Sequence, residues 1–279
     1  EPFMLADSHY NERHWRFVWQ SLQDINQQLA RFNGQVYIFD LPIIDLLQTL
    51  HQQFEIKNIY SHQEIGLHNS FERDKAVAHW CKQQDIYWQQ SPIGAVVRGR
   101  KHRIAWDKHW QQVMESPIAV PHWQQCQIQT LNHYQAPMLD DAITTANDQF
   151  QSGGPKAARA ILSSFLTHRG KNYQRSISSP SLSRTHCSRL SPYLAWGNIS
   201  LKQVYQATLT RQLAVLPIEL TPFLTRLNHY VKSQVQGLLI AVATFLGYTD
   251  EYKSQPLIAP LFLHVVLQKT ARSYVAQGE

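Results

Sequence analysis

Short apolar segments alternate with helix-length amphipathic segments over the first 115 residues, and this alternation constrains the fold more than any other feature. From Trp15 to Leu29 apolar residues recur at helical spacing, and Gly34 ends the pattern. The same reasoning predicts strands at 36–39, 58–61 and 86–88, separated by helices at 42–50 and 72–84. Strands and helices that alternate in this way form βαβ units. The pattern therefore predicts a Rossmann-like α/β domain over residues 1–115, with a parallel sheet covered on both faces.

The rest of the chain has a different pattern. Residues 116–150 contain three prolines and no sustained periodicity, which is typical of a connector between domains. From Gly153 onward the spacing of apolar residues is helical. Residues 151–227 are therefore predicted to begin a second domain that is mainly α-helical.

The bulk properties favour an anionic partner and a reducing compartment. A net charge of +6 and a pI near 9.2 make nucleic acid the first candidate partner. The cysteines Cys81, Cys126 and Cys187 form no CxxC pair and no even disulfide framework, which favours the cytoplasm. The longest apolar run, 237–247, is too short to span a bilayer, and the histidines and cysteines form no motif that predicts a metal site.

The segment 187–200 combines helix signals with polar groups that suit an anion. Ser191 is a natural N-cap, and Pro192 suits the first helical position. A helix start offers unpaired N–H groups and the positive end of the helix dipole, so Ser188 and Arg189 beside it would help to hold a phosphate. On local chemistry alone, a capped turn without a ligand is the more common outcome. Further along the segment, Gly197 is a signal for the end of this helix. Ser200 and Gln203 form a capping box that predicts the start of the next helix.

One stretch of this segment resembles the flavin-binding signature of the photolyase/cryptochrome family. It reads Cys187-Ser188-Arg189-Leu190-Ser191-Pro192-Tyr193-Leu194, with Cys187 where the family usually has Thr. In that family the loop wraps the pyrophosphate of FAD. The resemblance therefore implies that the cofactor-binding residues here include Cys187, Ser188, Arg189, Leu190 and Ser191. The cysteine removes one hydroxyl from the neighbourhood of the phosphates.

The residues before this stretch resemble the start of the family's flavin domain. Residues 153–155, Gly-Gly-Pro, open an apolar-periodic helix that leads to Tyr173, which matches a position that contacts the cofactor phosphates in the family. Without the resemblance, Tyr173 is equally well a half-buried tyrosine at a helix end. Trp196, beside the signature, is either an electron carrier or, more simply, a packing residue.

Two further stretches resemble the antenna domain of the same family. One is 60–64 followed by 73–77, and the other is 94–106. With the signature, the resemblance covers residues 1–227 and then stops, so residues 228–279 are interpreted as a divergent tail. It implies an α/β Rossmann-like antenna domain followed by a mainly α-helical, incomplete FAD-binding domain. Because the chain begins without Met and without the family's first strand, we expect a fragment.

Two features of the α/β part bear on ligands. The resemblance implies an antenna chromophore of undetermined type, but the acidic position of a folate pocket is here Ser70, after Asn69, which argues against folate. A basic cluster either contacts DNA phosphates or forms a solvated loop, and the second interpretation is favoured. The cluster consists of Arg98, Arg100, Lys101 and Arg103.

The resemblance implies a function in DNA repair. The implied reaction is the light-dependent repair of pyrimidine dimers by electron transfer from reduced FAD, which is the reaction of a deoxyribodipyrimidine photo-lyase. The implied partner is damaged DNA. Two alternatives stay open, namely a cryptochrome-like blue-light photosensor without repair activity and an inactive truncated product. No catalytic residue is named, because the matching segment would follow Leu227.

Overall fold

The computed structural model describes residues 2–65, 68–99, 102, 104–121, 126, 128–176, 178–214, 221–227 and 263–264. Helices dominate, and strands are short. The N-terminal elements are α1 (Pro2–Leu5), α2 (Glu12–Leu29), α3 (Ile43–Phe54), β1 (Asn58–His62), α4 (His68–Gln83), β2 (Tyr87–Ser91) and α5 (Trp106–Glu115). The later elements are α6 (Asp141–Thr144), α7 (Pro155–Thr167), α8 (Tyr173–Ser176), α9 (Pro180–His186), α10 (Ser191–Ala195), α11 (Leu201–Ala214), α12 (221–227) and β3 (Leu263–His264).

A βαβ unit lies at the centre of the N-terminal part. Strands β1 and β2 are parallel, with Asn58 opposite Tyr87 and His62 opposite Ser91, and α4 connects them. Strand β3 pairs antiparallel with β1 on its other side, so the order in the sheet is β2-β1-β3. The predicted strands at 58–61 and 86–88 are thus confirmed, and α4 begins four residues before its predicted start at 72.

The strand predicted at 36–39 is wrong, because that segment forms no β ladder in the described structure. Side chains satisfy its backbone instead. The N–H of Val36 donates to the amide oxygen of Asn26 at 2.6 Å. The Tyr134 hydroxyl lies 2.8 Å from both the N–H and the carbonyl oxygen of Ile38, accepting from the first and donating to the second. An apolar run alone does not show whether a strand or side chains will take its hydrogen bonds.

Two hydrophobic cores hold the described elements together. The smaller core packs α3 and α4 on β1, and its residues are Leu47, Leu50, Ile56, Ile59, Val77, Trp80, Cys81 and Ile86. The larger core joins Phe17 of α2 and Trp110 of α5 to Phe165 of α7 and to residues of α10, α11 and α12. Helices α2 and α5 therefore pack with the later helices, although they precede the proline-rich segment in sequence. The predicted domain boundaries stay predictions.

Helices α2 and α7 meet at Gly153 and Gly154. A Cβ atom on Gly153 would lie 2.0 Å from the carbonyl oxygen of Phe17, so only glycine allows this backbone contact. Gly154 has a φ of +110°, which also favours glycine. The amide oxygen of Asn198 accepts from the N–H of Gly154 at 2.5 Å and from the hydroxyl of Ser21 at 2.8 Å. Asn198 follows α10, so these contacts join three parts of the chain.

The structure agrees with the fold class that the sequence predicts, a Rossmann-like α/β part followed by a mainly α-helical part. Helices form the described part of 151–227, whereas Leu263 and His264 form a strand. The remainder of the tail lies outside the described residues. None of the helices in the described ranges combines the length and the apolarity needed to cross a membrane.

Candidate anion-binding site

The turn between α9 and α10, residues 187–191, has a backbone suited to an anion. Arg189 has a φ of +58°, and Leu190 after it is in the right-handed helical region, with φ −88° and ψ −11°. Two neighbouring residues of opposite hand form a nest, in which successive N–H groups point into one concavity. No hydrogen bond within the described part of the chain uses the N–H of Ser188, Arg189, Leu190 or Ser191. These four donors are therefore available to an acceptor from outside.

The carbonyl groups of the same turn are held by protein side chains. Arg169, in a 3-10 turn after α7, donates to the carbonyl of Cys187 at 2.5 Å and to that of Ser188 at 3.3 Å. The amide nitrogen of Gln151 donates to the carbonyl of Arg189 at 3.0 Å. The turn is thus fixed on its carbonyl side, and only its N–H side lacks partners among the described residues.

Among the residues that the structure describes, the charges around the turn are positive and lack an acidic partner. The guanidinium groups of Arg169 and Arg189 repel each other, and Arg226 and Arg169 both act on Cys187. None of the three arginines forms an ion pair with any residue that the structure describes. Residues 149–218 contain nine Lys and Arg and no Asp or Glu. This run without carboxylates is a sequence signal for the site that the motif reasoning missed.

The thiol of Cys187 stays neutral at this site. Burial raises the pKa of Cys187, and the positive charges of Arg226 and Arg169 oppose that rise without overcoming it. A neutral thiol does not repel an anion as a thiolate would.

Leu190 of the turn and Tyr173 beside it are core residues. Leu190 is only 1% exposed, so its side chain anchors the turn while its N–H stays available. The ring of Tyr173 packs edge-on against Phe165 and Phe223, each with a centroid distance of 5.5 Å. Burial raises the pKa of Tyr173 to about 12, and its hydroxyl interacts electrostatically with Arg226 and Cys187. The hydroxyl therefore lies near the turn, and its contact with a cofactor stays a prediction.

The start of α10 differs from the predicted one. Leu190 is the N-cap and Ser191 is the first helical residue, so the Ser191 side chain does not cap the helix. Helix α10 has five residues, so its dipole contributes less than the N–H groups of the turn itself. Its end is as predicted, because Gly197 has a φ of +69° and closes a Schellman motif, with the N–H of Asn198 on the carbonyl of Tyr193 at 2.8 Å.

The capping box at the start of α11 is confirmed. The N–H of Ser200 donates to the Gln203 side chain at 2.8 Å, and the N–H of Gln203 donates to the Ser200 hydroxyl at 3.1 Å. Trp196 is buried, with ring centroids 6.1 Å from those of both Tyr10 and Trp15. Its position is that of a packing residue.

A second charged cluster lies where β1 and β2 end. Arg73 donates to a carboxylate oxygen of Asp74 at 2.8 Å, and its Nη2 lies 3.9 Å from Glu64. Arg98 donates to the backbone carbonyl of Glu64 at 2.7 Å, and its Nη2 lies 3.7 Å from Asp74. The favoured interpretation of Arg98 as part of a solvated loop is wrong, because these contacts hold it half-buried. The other members of the basic cluster, Arg100, Lys101 and Arg103, lie outside the described residues.

The residues relevant to an antenna pigment differ in exposure. Asn69 is exposed, whereas Ser70, at the position where folate pockets have an acidic residue, is only 3% exposed. An antenna chromophore of undetermined type stays a prediction, and so does the argument against folate.

Comparison with known proteins supports the resemblance. A family model described as DNA photolyase matches residues 2–116, a range that ends before the 187–191 turn. A search of curated proteins finds no match. Residues 2–116 are therefore similar to the DNA photolyase family, and the predicted resemblance to the photolyase/cryptochrome family is confirmed.

Solved structures extend the similarity beyond that range. A class III photolyase from Agrobacterium tumefaciens has a TM-score of 0.61 and 16% identity, over 86% of this chain and 52% of that chain. A cryptochrome from Synechocystis has a TM-score of 0.57 and 17% identity, over 84% and 50%. An archaeal photolyase from Sulfolobus tokodaii, solved with two FAD molecules, has a TM-score of 0.53 and 15% identity, over 73% and 46%. The chain has their fold and spans about half of their length.

Proposed function

We propose that this chain binds FAD through the 187–191 turn and acts in light-dependent repair of pyrimidine dimers in DNA. One observation carries the proposal: four N–H groups without described partners lie beside three arginines without a described carboxylate. A diphosphate supplies both the negative charge and the acceptor oxygens that this arrangement lacks. The donor set therefore fits the pyrophosphate of a dinucleotide.

Each residue of the proposed site has its own task. The N–H groups of 188–191 and the side chains of Ser188, Arg189 and Ser191 hold the diphosphate. The Leu190 side chain fixes the turn in the core, and the neutral Cys187 thiol lets the anion approach. The Tyr173 hydroxyl adds one further donor at the edge of the turn. When bound in its reduced form, FAD supplies the electron that splits the dimer, and damaged DNA is the partner.

The proposal is tested in two steps with residues 1–279. The purified chain is mixed with FAD, and binding is measured by calorimetry and by the visible absorption of the protein fraction after gel filtration. We expect a flavin-loaded, coloured protein. A colourless protein at saturating FAD would overturn the proposal and favour an inactive product.

Repair activity is measured separately. The loaded protein is reduced and illuminated with blue light in the presence of an oligonucleotide that contains a pyrimidine dimer. Restored intact pyrimidines support repair. Flavin photoreduction without repair supports the second candidate, a photosensor. That candidate is kept because the cryptochrome fold matches this chain almost as well as the photolyase fold, with TM-scores of 0.57 and 0.61.

A further inference from the structure

Arg169 uses its whole guanidinium group to connect the 187–191 turn to α7. On the α7 side, Nε donates to the Ser164 hydroxyl at 2.9 Å and Nη2 donates to the Ile161 carbonyl at 3.0 Å. On the side of the turn, the same group donates to the carbonyls of Cys187 and Ser188. A planar group that donates in several directions holds a fixed orientation, which a flexible ammonium does not.

Gly170 allows this position. A Cβ atom there would lie 2.8 Å from the carbonyl oxygen of Phe165, so the 3-10 turn that carries Arg169 runs close against the end of α7. The guanidinium carbon lies 5.9 Å from the centre of the Phe165 ring. Burial lowers the pKa of Arg169, and repulsion from Arg189 adds to that effect. The protein therefore places a cation in an unfavourable environment, where its four hydrogen bonds compensate.

Peptide planarity transmits the orientation of the carbonyls to the N–H groups. In a trans peptide the C=O of one residue and the N–H of the next point in opposite directions. The carbonyls of Cys187 and Ser188 point to Arg169, so the N–H groups of Ser188 and Arg189 point away from it. By the same argument, the bond from Gln151 to the Arg189 carbonyl directs the N–H of Leu190.

We propose that Arg169 is a positioning residue of the phosphate-binding turn, which aims the N–H groups of Ser188 and Arg189 at the anion before it binds. The proposal rests on the proposed function, because it concerns the same site. Arg169 acts through the backbone, so its contribution depends on the geometry of its fork and not on its charge alone. Preorganised donors bind more tightly because no ordering cost remains to be met on binding.

The test compares Arg169→Gln, Arg169→Lys and the wild-type chain. Affinities for FAD, inorganic pyrophosphate and riboflavin are measured by calorimetry, and thermal unfolding records the folded fraction. We expect Arg169→Gln to weaken binding of FAD and pyrophosphate by about tenfold or more, because two charge-assisted hydrogen bonds to the turn are lost. Riboflavin carries no phosphate, so its affinity should stay unchanged.

The lysine variant separates geometry from charge. It keeps the positive charge and loses the fork, so its loss should approach that of Arg169→Gln. Wild-type affinity in Arg169→Lys would overturn the positioning role. Arg211→Gln is the matched control. Arg211, on α11, donates to the carbonyl of Leu166 on α7 at 3.2 Å and makes no described contact with the turn. Its binding of all three probes should equal that of wild type.

A second variant keeps the proposal testable if Arg169→Gln does not fold. Gln151→Ala removes the donor that orients the N–H of Leu190 and should weaken FAD binding in the same direction by about threefold, since one neutral hydrogen bond is lost. Unchanged FAD affinity in a folded Gln151→Ala or Arg169→Gln protein overturns the inference and leaves the proposed function intact. A wild-type chain that binds neither FAD nor pyrophosphate overturns both.

Discussion

The two charged clusters of this chain are opposites. At the ends of β1 and β2, the cations of Arg73 and Arg98 lie beside the carboxylates of Glu64 and Asp74, so the cluster neutralises itself. At the 187–191 turn, Arg169 and Arg189 repel each other, and no carboxylate pairs with either among the described residues. One cluster is complete without a ligand, and the other is complementary to an anion.

The difference shows how charge distinguishes structural from ligand-binding clusters. Paired charges hold β1, α4 and the segment at Arg98 together. Removal of one partner leaves the other charge half-buried without a counter-charge, which is unfavourable. Cations that repel each other destabilise the folded chain, and a bound anion offsets this repulsion, so the repulsion favours anion binding. The two clusters should therefore respond oppositely to mutation and to added anions.

The largest expected effect comes from breaking the paired cluster. Asp74→Ala removes the carboxylate that pairs with both Arg73 and Arg98 and should lower the free energy of unfolding by about 3 kcal/mol. Urea denaturation measures this decrease in the free energy of unfolding. Glu72→Ala serves as the control, because its pair with Lys75, at 2.7 Å, is exposed to solvent and should contribute much less to stability. Equal losses in the two variants would contradict a structural role for the cluster.

The unpaired cluster should gain stability from an anion. Pyrophosphate at about one hundred times its dissociation constant should raise the free energy of unfolding by about 2.7 kcal/mol. Arg189→Gln should reduce that gain, and without pyrophosphate it should be at least as stable as wild type, because a repulsion is relieved. Arg159→Gln, an exposed change on α7 in the same basic run, should behave like wild type in both conditions. An equal pyrophosphate gain in Arg189→Gln and wild type would refute the role of this arginine.

The two hydrophobic cores should lose stability over different ranges of alkaline pH. Burial raises the pKa of Cys81 in the smaller core to about 11 and the pKa of Tyr173 in the larger core to about 12. Each folded-state value lies above the unfolded one, so the stabilising contribution is complete below the unfolded pKa and is lost as pH rises through the folded pKa. The loss should begin near pH 9 for Cys81 and near pH 10 for Tyr173, on the order of 2 kcal/mol each.

Variants assign each part of this alkaline loss. Cys81→Ala should flatten the stability curve between about pH 9 and 11, and Tyr173→Phe should flatten part of it between about pH 10 and 12. Cys126→Ala, which removes an exposed thiol, should leave the shape of the curve as in wild type. Chemical denaturation at a series of pH values measures these curves, and a Cys81→Ala curve with the wild-type shape would be inconsistent with the assignment.

The smallest effect distinguishes helix capping from anion binding near the turn. Ser200→Ala removes the capping box of α11 and should cost about 1 kcal/mol. The cost should be the same with and without pyrophosphate, because Ser200 is not part of the turn. Thr210→Ala, an exposed change later in α11, is the control and should cost less. A pyrophosphate-dependent cost at Ser200 would extend the anion site beyond residue 191.

Local patterns predicted much of the fold and some of the site. The helical spacing of apolar residues predicted α2, α3 and α4, and the capping box at Ser200 was readable from two residues three apart. The signature at 187–194 contains the turn, and the helix-stop signal at Gly197 predicted the end of α10. These features depend on contacts within a few residues, which a sequence records directly.

Tertiary contacts decided the rest. The segment 36–39 does not form a strand, because the side chains of Asn26 and Tyr134 satisfy its backbone groups. Arg98 lies 3.7 Å from the carboxylate of Asp74 on α4 and donates to the backbone carbonyl of Glu64, which follows β1, so only the packing of these elements shows its partners. Arg169 belongs to no sequence motif, and only the packing of α7 against the turn shows which carbonyl groups accept its hydrogen bonds. The sequence determines which groups a segment offers, but the partner of each group depends on which distant groups folding brings within hydrogen-bond distance.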